Sequence, residues 1–225
     1  MTAAAPSLRI DRNAKTLREL ALEKMRGAIL SGHFKPGERV VERSLCEQLD
    51  VSRSIVREVL RHLEAEGLIE SVPHSGPVIA SLSADQAAQI YALRGLMEGR
   101  AARLFAEAAS DAALAHLATL NAAIQSAFKA GDHAAVVERT TAFYEALFQG
   151  AAMTIAWDIV RSLNARINRL RLMTIGSPGR QKEAAAEMDK ILKALRKRDP
   201  AAAQEAAEAH VRRVAEIAGQ ALGSR

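Results

Sequence analysis

Residues 40–71 read VVERSLCEQLDVSRSIVREVLRHLEAEGLIES, and their reading decides the fold. Arg53, Arg57 and Arg61 recur every four residues. On a helix that spacing lines them up on one face, where like charges repel by roughly 0.2–0.5 kcal/mol per pair. Such a stripe is tolerated where a polyanion meets it, because binding relieves the repulsion. The plainer alternative is a solvated face whose arginines pair with Glu58 or Glu64.

The flanking pattern gives the stripe a context. A first helix is predicted over about residues 16–31, with Leu17, Leu20, Ala21, Ala28 and Ile29 on its apolar side. Gly32, Pro36 and Gly37 break it. A second, short helix is predicted over 42–49, and Asp50-Val51-Ser52 forms a tight connection with Ser52 as N-cap. The third helix, 53–66, carries Val56, Val59, Leu60 and Leu63 on its apolar face and ends at Gly67. GLIESV and PVIAS follow as two extended runs joined by PHSG. Helix, helix, turn, helix and hairpin is the order of a winged helix-turn-helix, assigned to residues 16–80, with residues 1–15 as a mobile arm.

In that motif the N-terminal end of the second helix of the pair enters the major groove. Here that end presents Ser52, Arg53, Ser54 and Arg57. An arginine can hold guanine O6 and N7 with two hydrogen bonds. Serines reach phosphates or base edges, and the helix N-terminus itself favours phosphate. Arg43, at the start of the preceding helix, is placed for a backbone contact.

The remainder of the chain is helical in pattern. Helices are predicted at about 84–109, 111–129, 133–149, 152–174, 181–197 and 200–222, with Ser83 and Ser110 as N-caps. Short loops between amphipathic helices make an antiparallel bundle. The fold class is therefore mainly α: a winged helix plus an all-α bundle of six to seven helices over 83–222. The composition agrees, with 49% apolar residues but only 4% aromatics in a 225-residue chain. The net charge of +5 does not mark out a nucleic-acid-binding half, because the first 82 residues hold 12 Lys/Arg against 11 Asp/Glu. The nucleic-acid reading rests on where individual arginines lie. A single cysteine, Cys46, excludes an internal disulfide. No apolar run approaches the ~20 residues that span a bilayer, and the N-terminus lacks a secretory pattern; a cytoplasmic protein without a membrane partner is expected.

AILSGHFKPGERVVERSLCEQLDVSRSIVREVLRHLEAEGLIE resembles the DNA-binding domain of GntR-type transcription regulators. The resemblance is carried by Gly32, Pro36-Gly37-Glu38-Arg39, Glu42, Leu45, Val51-Ser52-Arg53, Val56-Arg57-Glu58, Leu60, Leu63 and Glu66-Gly67-Leu68. It implies DNA contacts at Arg43, Ser52, Arg53, Ser54 and Arg57, with Gly76 at the wing tip near the minor groove. His74, in a less typical wing, reads as an exposed turn residue. YALRGLMEGRAARLFAEAAS resembles the opening helix of the FCD ligand-binding domain of the FadR branch, through Arg94, Leu96-Met97-Glu98, Ala101-Ala102 and Ala106. These resemblances imply a homodimer that reads a palindromic operator in double-stranded DNA, represses, and lets go when a small effector binds. The segment Val78–Ser83 would carry the change to the recognition helices.

Many members of the branch hold a divalent metal with one Asp and three His. The aligned positions here are Thr140, Tyr144, Met188 and His210, and Met153 stands where an asparagine is common. Only His210 is retained, so no metal and no cofactor is expected. The same four positions would instead line an effector pocket for a partly apolar, carboxylate-bearing ligand, with Arg94 as anion clamp and Asn164 and Arg171 as further candidates. Each has a structural alternative: His210 and Tyr144 as core residues, Arg94 tied to Glu98. No nucleophile–base set, paired carboxylates or glycine-rich phosphate loop points to an enzyme. The rival readings are a metal-dependent sensor of the same branch, a helical-bundle enzyme whose winged helix serves protein contacts, and an effector site that is inert or takes something bulkier.

Overall fold

The computed structural model describes residues 15–73 and 75–223; the expected arm, apart from Lys15, and His74 lie outside them. The chain divides into two compact units, Met1–Ala80 and Ser81–Arg225.

In the first unit, α1 (Leu17–Leu30) begins with a reciprocal cap: the Thr16 side chain accepts from the Glu19 amide while the Glu19 carboxylate accepts from the Thr16 amide. Its buried Ala21, Leu22, Met25 and Ile29 recur at helical spacing and pack on α3. The helix α2 (Glu42–Leu49) ends at Asp50 in the left-handed region, φ 51° and ψ 49°. Aspartate is among the few residues that enter this region readily, and here it turns the chain into α3 (Arg53–Ala65). Ser52 caps α3 by accepting from the Ile55 amide at 3.4 Å. Val56, Val59, Leu60 and Leu63 are buried, which leaves Arg53, Ser54, Arg57 and Arg61 on the exposed side. Strands β1 (Ile69–Val72) and β2 (Gly76–Ile79) pair antiparallel from Ile69↔Ile79 to Val72↔Gly76. Gly76 closes this hairpin at φ +77°, a conformation that a three-residue hairpin loop requires and a side chain strains. The Arg26 guanidinium grips Glu66, its Nε donating at 3.0 Å, and so ties α1 to the end of α3.

The second unit is an antiparallel bundle of α4 (Ala84–Ala108), α5 (Asp111–Ala130), α6 (His133–Gly150), α7 (Thr154–Ser162), α8 (Asn164–Ile175), α9 (Arg180–Arg196) and α10 (Pro200–Gly223). Ser83 and Ser110 cap α4 and α5 through their side chains. Helix α4 packs along α10, and α5 along α6. Phe105, Leu117, Phe143, Tyr144, Phe148, Ile167 and Leu195 fill the core between them.

One predicted element differs. The continuous helix expected over 152–174 is two helices that meet at Leu163. The Ser162 hydroxyl donates to the Ile159 carbonyl at 2.7 Å, and the Leu163 amide bonds Val160 three residues back. A serine hydroxyl bonding a nearby carbonyl competes with the helical ladder, and the three-residue bond tightens the turn. The pattern of apolar residues does not register this break.

The bundle also contains a close approach. A Cβ added to Gly150 would lie within the van der Waals envelope of the Phe105 ring, and Phe105 is fully buried. Gly150→Ala is therefore expected to destabilise the helical unit by about 1–3 kcal/mol, read as a lower denaturation midpoint with an unchanged slope.

Candidate functional site

Two sites arise, one in each unit. In the winged helix, α2 and α3 bring Glu42 beneath the arginine stripe. The Arg53 Nε donates to Glu42 Oε2 at 2.8 Å, and the Arg57 Nε donates to both carboxylate oxygens at 3.2 and 3.1 Å. Both arginines are bound through Nε, so the outer ends of their forks remain available, and both side chains are more than half exposed. The two guanidinium hydrogen bonds hold the Glu42 carboxyl below the usual carboxylate range, the bond from Arg53 foremost. This carboxylate offsets the repulsion between Arg53 and Arg57. The sequence suggested Glu58, Glu64 or neighbouring acids as partners for Arg57 and Arg61. Glu42 lies 11 and 15 residues away, across the turn, where helical spacing gives no signal.

Of the other predicted residues of this face, Arg43, Ser52 and Ser54 are exposed and Gly76 is half-buried. Arg43 pairs loosely with Glu47 one turn on. Ser52 spends its oxygen lone pair on the cap and keeps its O–H free to donate outward. Ser54 sits in the first turn of α3, and Gly76 opens β2 with no neighbour within 4 Å of where a Cβ would stand.

The helical unit encloses a cavity lined by Tyr91 and Arg94 of α4, Thr140 of α6, Arg171 and Thr174 of α8, Arg180, Ala184 and Met188 of α9, and His210 and Val214 of α10, with an apolar wall from Ile124, Phe128, Val136 and Ile175. Thr140, Met188 and His210 thus converge on one space, as the resemblance to the family's pattern implies. Tyr144 stands just behind it, 1% exposed. The Arg94 and Arg171 Cζ atoms lie 5.8 and 5.5 Å from its ring centroid, within range of cation–π attraction. Asn164 does not line the cavity. It precedes Arg171 by seven residues, about 10.5 Å along a helix axis, and the cavity is built from the far end of α8.

Charge is distributed unevenly among the three lining arginines. Arg94 is spoken for: its Nε and Nη2 donate to Glu98 at 2.7 and 3.3 Å, with both side chains almost fully buried. Burial opposes the Arg94 charge, yet Glu98 outweighs it and raises the pKa. Arg180 is spoken for too, donating to both oxygens of Glu187 at 2.8 and 2.7 Å. The same Glu187 contacts His210 Nδ1 at 2.6 Å. Burial raises the Glu187 carboxyl, but the bonds from His210 and Arg180 hold it down to about 2. A carboxylate only accepts, so Nδ1 carries the hydrogen. Burial lowers the His210 pKa against the pull of Glu187, leaving a neutral ring whose Nε2 is a bare acceptor.

Arg171 differs. Its Nη1 donates to Thr141 Oγ1 at 3.0 Å and to Asn168 Oδ1 at 2.9 Å, both neutral. Among the described residues no carboxylate bonds it. Burial, then the nearby Arg94, pull its pKa down to about 10, so it is still cationic at neutral pH. Among the described residues, the buried hydroxyl of Tyr91 has no hydrogen-bond partner. The sequence placed the anion clamp at Arg94; the geometry commits Arg94 to Glu98 and leaves Arg171 the uncompensated cation.

The residues at the family's metal positions do not fit a divalent ion. Thr140 Oγ1 is bonded to its own helix at Val136. Tyr144 faces two guanidiniums, Met188 offers a soft thioether, and the His210 Nδ1 is taken by Glu187. Hard divalent ions need converging oxygen or imidazole lone pairs, and fixed cations beside the site oppose them further.

A winged helix with an exposed arginine face, joined to a helical unit whose largely apolar cavity carries a few charged and polar groups, is the arrangement of a ligand-responsive class of transcription regulator. Comparison with known proteins agrees. Residues 89–213 match the FCD domain, and residues 17–79 match bacterial regulatory proteins of the gntR family. The chain belongs to that family, as a GntR regulator with an FCD effector-binding domain. It is 28% identical over 190 residues to the HTH-type transcriptional regulator YdhC of Bacillus subtilis, covering 84% of each chain. It is 26% identical over 185 residues to the HTH-type transcriptional repressor RspR of Escherichia coli, covering 82% of this chain and 81% of that one. Among solved structures, E. coli McbR/YncC superposes with a TM-score of 0.74 over 92% of this chain and 99% of that one, at 21% identity. A putative GntR regulator from Rhodococcus superposes with a TM-score of 0.75 over 92% and 98%, at 20% identity. No helix among the described residues is long and apolar enough to cross a membrane.

The Glu187–His210 pair fixes the sign of the pH response. His210 is lowered from its ordinary value near 6.5, so the unfolded chain takes up that proton first and stability is lost as pH falls below about 6.5. Glu187, lowered from 4.5 to about 2, contributes stability that is present above pH 4.5 and is lost as pH falls towards 2. Thermal melts from pH 7.5 to 5 are expected to show a falling Tm. His210→Gln should flatten the part between pH 6.5 and 5.

Proposed function

We propose that the protein is a homodimeric repressor that reads a palindromic operator and releases it when a small metabolite enters the helical cavity. The observation that carries this reading is the pair Arg53 and Arg57 at the N-terminal end of α3, oriented by one carboxylate with their outer nitrogens free. That is the geometry needed to meet guanine edges in the major groove. Ser52, Ser54 and Arg43 supply phosphate contacts around them, and the wing at Gly76 lies against the minor groove. One recognition helix reads few base pairs. Two copies on half-sites one helical turn apart, about 34 Å, double the readout. Control by metabolite requires unequal affinity for the DNA-competent and DNA-incompetent states, and the cavity in the FCD domain is where that difference is made. The repressor named RspR, similar along most of the chain, supports the sign of regulation.

Selection of bound fragments from a genomic library, washed at near-physiological salt, tests the proposal. A compact palindrome is expected; uniform recovery that disappears with salt would reduce the arginine face to non-specific phosphate attraction. On the selected site, Arg53→Ala is expected to lose about 1–3 kcal/mol of discrimination per half-site, with unchanged circular dichroism. Glu42→Gln should act differently: competitor DNA is held more tightly because an anion leaves the interface, while preference for the operator falls because the arginines are no longer oriented. Titrations at two salt concentrations separate these effects.

A further inference from the structure

We propose that a protein guanidinium replaces the metal ion in this cavity: Arg171 binds the carboxylate of a small, singly charged hydroxycarboxylic acid, whose hydroxyl donates to His210. The inference deepens the reading above and rests on its placement of the effector in the helical unit.

Four observations converge on this ligand. The first is charge. Two of the three lining arginines are matched by Glu98 and Glu187, whereas Arg171 has no bonded carboxylate among the described residues. A partly buried cation without a bonded carboxylate favours an anion of one charge; a dianion would bring a second charge with no partner. The second is the donor set. Guanidinium forks suit carboxylates, and the Tyr91 hydroxyl, 3% exposed and without a partner, lines the same cavity and can donate to the same group. A buried hydroxyl without a partner is unfavourable, so Tyr91 favours a ligand that brings an acceptor.

The third is the tautomer of His210. Glu187 holds the hydrogen on Nδ1, so Nε2 asks for a donor, and the ligand therefore brings a hydroxyl besides its carboxylate. The fourth is size. The cavity leaves about 50 Å³ for the centres of water-sized groups, room for roughly three to five of them at about 10–15 Å³ each. A two- or three-carbon acid fits this volume.

The test is calorimetric titration of the full chain after dialysis against a chelator, with glycolate, acetate, methoxyacetate and malonate as probes. Acetate has the charge without the hydroxyl, methoxyacetate has an oxygen that cannot donate, and malonate carries two charges. Glycolate is expected to bind at least tenfold tighter than each of the others without added metal. Arg171→Met, which keeps apolar volume and removes the charge, should abolish glycolate binding while the ligand-free Tm stays level or rises. An Arg171 needed only to hold Thr141 and Asn168 would give a lower Tm instead. If the methionine variant does not fold, Arg171→Lys should weaken glycolate binding at least tenfold in a folded protein. Equal binding of acetate and glycolate, no binding of any probe, binding only with a divalent ion, or retention of glycolate by either folded variant would overturn the proposal. Operator binding, measured separately with and without glycolate, keeps the two readings apart. Glycolate that binds through Arg171 without changing operator affinity would refute the regulatory link and leave the site standing.

Discussion

The helical unit is organised around the burial of charge. Arg94, Arg171 and Arg180 all face one interior space, and taking guanidiniums out of water is costly unless carboxylates and hydrogen bonds compensate. Glu98 meets Arg94 from the same helix, one turn away. Glu187 meets Arg180 within α9 and reaches across to His210 on α10. The Glu187–His210 contact is the one of these that joins two helices, α9 and α10. The third arginine is the exception, anchored by neutral oxygens from Thr141 and Asn168. The proposed anion site rests on that one missing carboxylate.

The same logic appears at smaller scale in the winged helix. Two arginines on one face of α3 would repel; one carboxylate from α2 sits between them. The pairs are exposed, so each contributes little to stability. Their value is in orientation. A shared anchor at Nε fixes where two forks point, and pre-oriented side chains lose less freedom when they bind. In both units a glutamate from a neighbouring element or turn decides what an arginine is free to do.

The departure from the family's metal pattern is coherent rather than piecemeal. Thr140, Met188 and His210 still face one cavity and Tyr144 still backs it, so the space is retained while its chemistry has changed. Loss of hard ligands and proximity of guanidinium charge belong together, because fixed cations and a divalent ion would compete for the same anionic partners. His210 keeps its imidazole and takes a new partner: Glu187 is adjacent in sequence to Met188 and receives the Nδ1 hydrogen.

Much of this was legible in the chain itself. Helical periodicity, the capping serines at 52, 83 and 110, and the breakers at Gly32, Gly67 and Gly131 delimit most elements, because local hydrogen bonding and backbone sterics act over three or four residues. The convergence of Thr140, Met188 and His210 was visible through the family pattern, and the arginine face through its four-residue spacing. The break at Leu163 escaped because it comes from one hydroxyl competing for one carbonyl within an unbroken apolar pattern. Which arginine lacks a carboxylate partner escaped for a different reason. Whether Arg94 or Arg171 is free depends on which carboxylates reach them in three dimensions, and Glu42 reaches Arg53 and Arg57 in the same non-local way. Sequence alone determined which faces are apolar and which side chains could bind anions; only tertiary packing decided which of those cations were already neutralised, because charge pairing depends on distances that spacing along the chain does not encode.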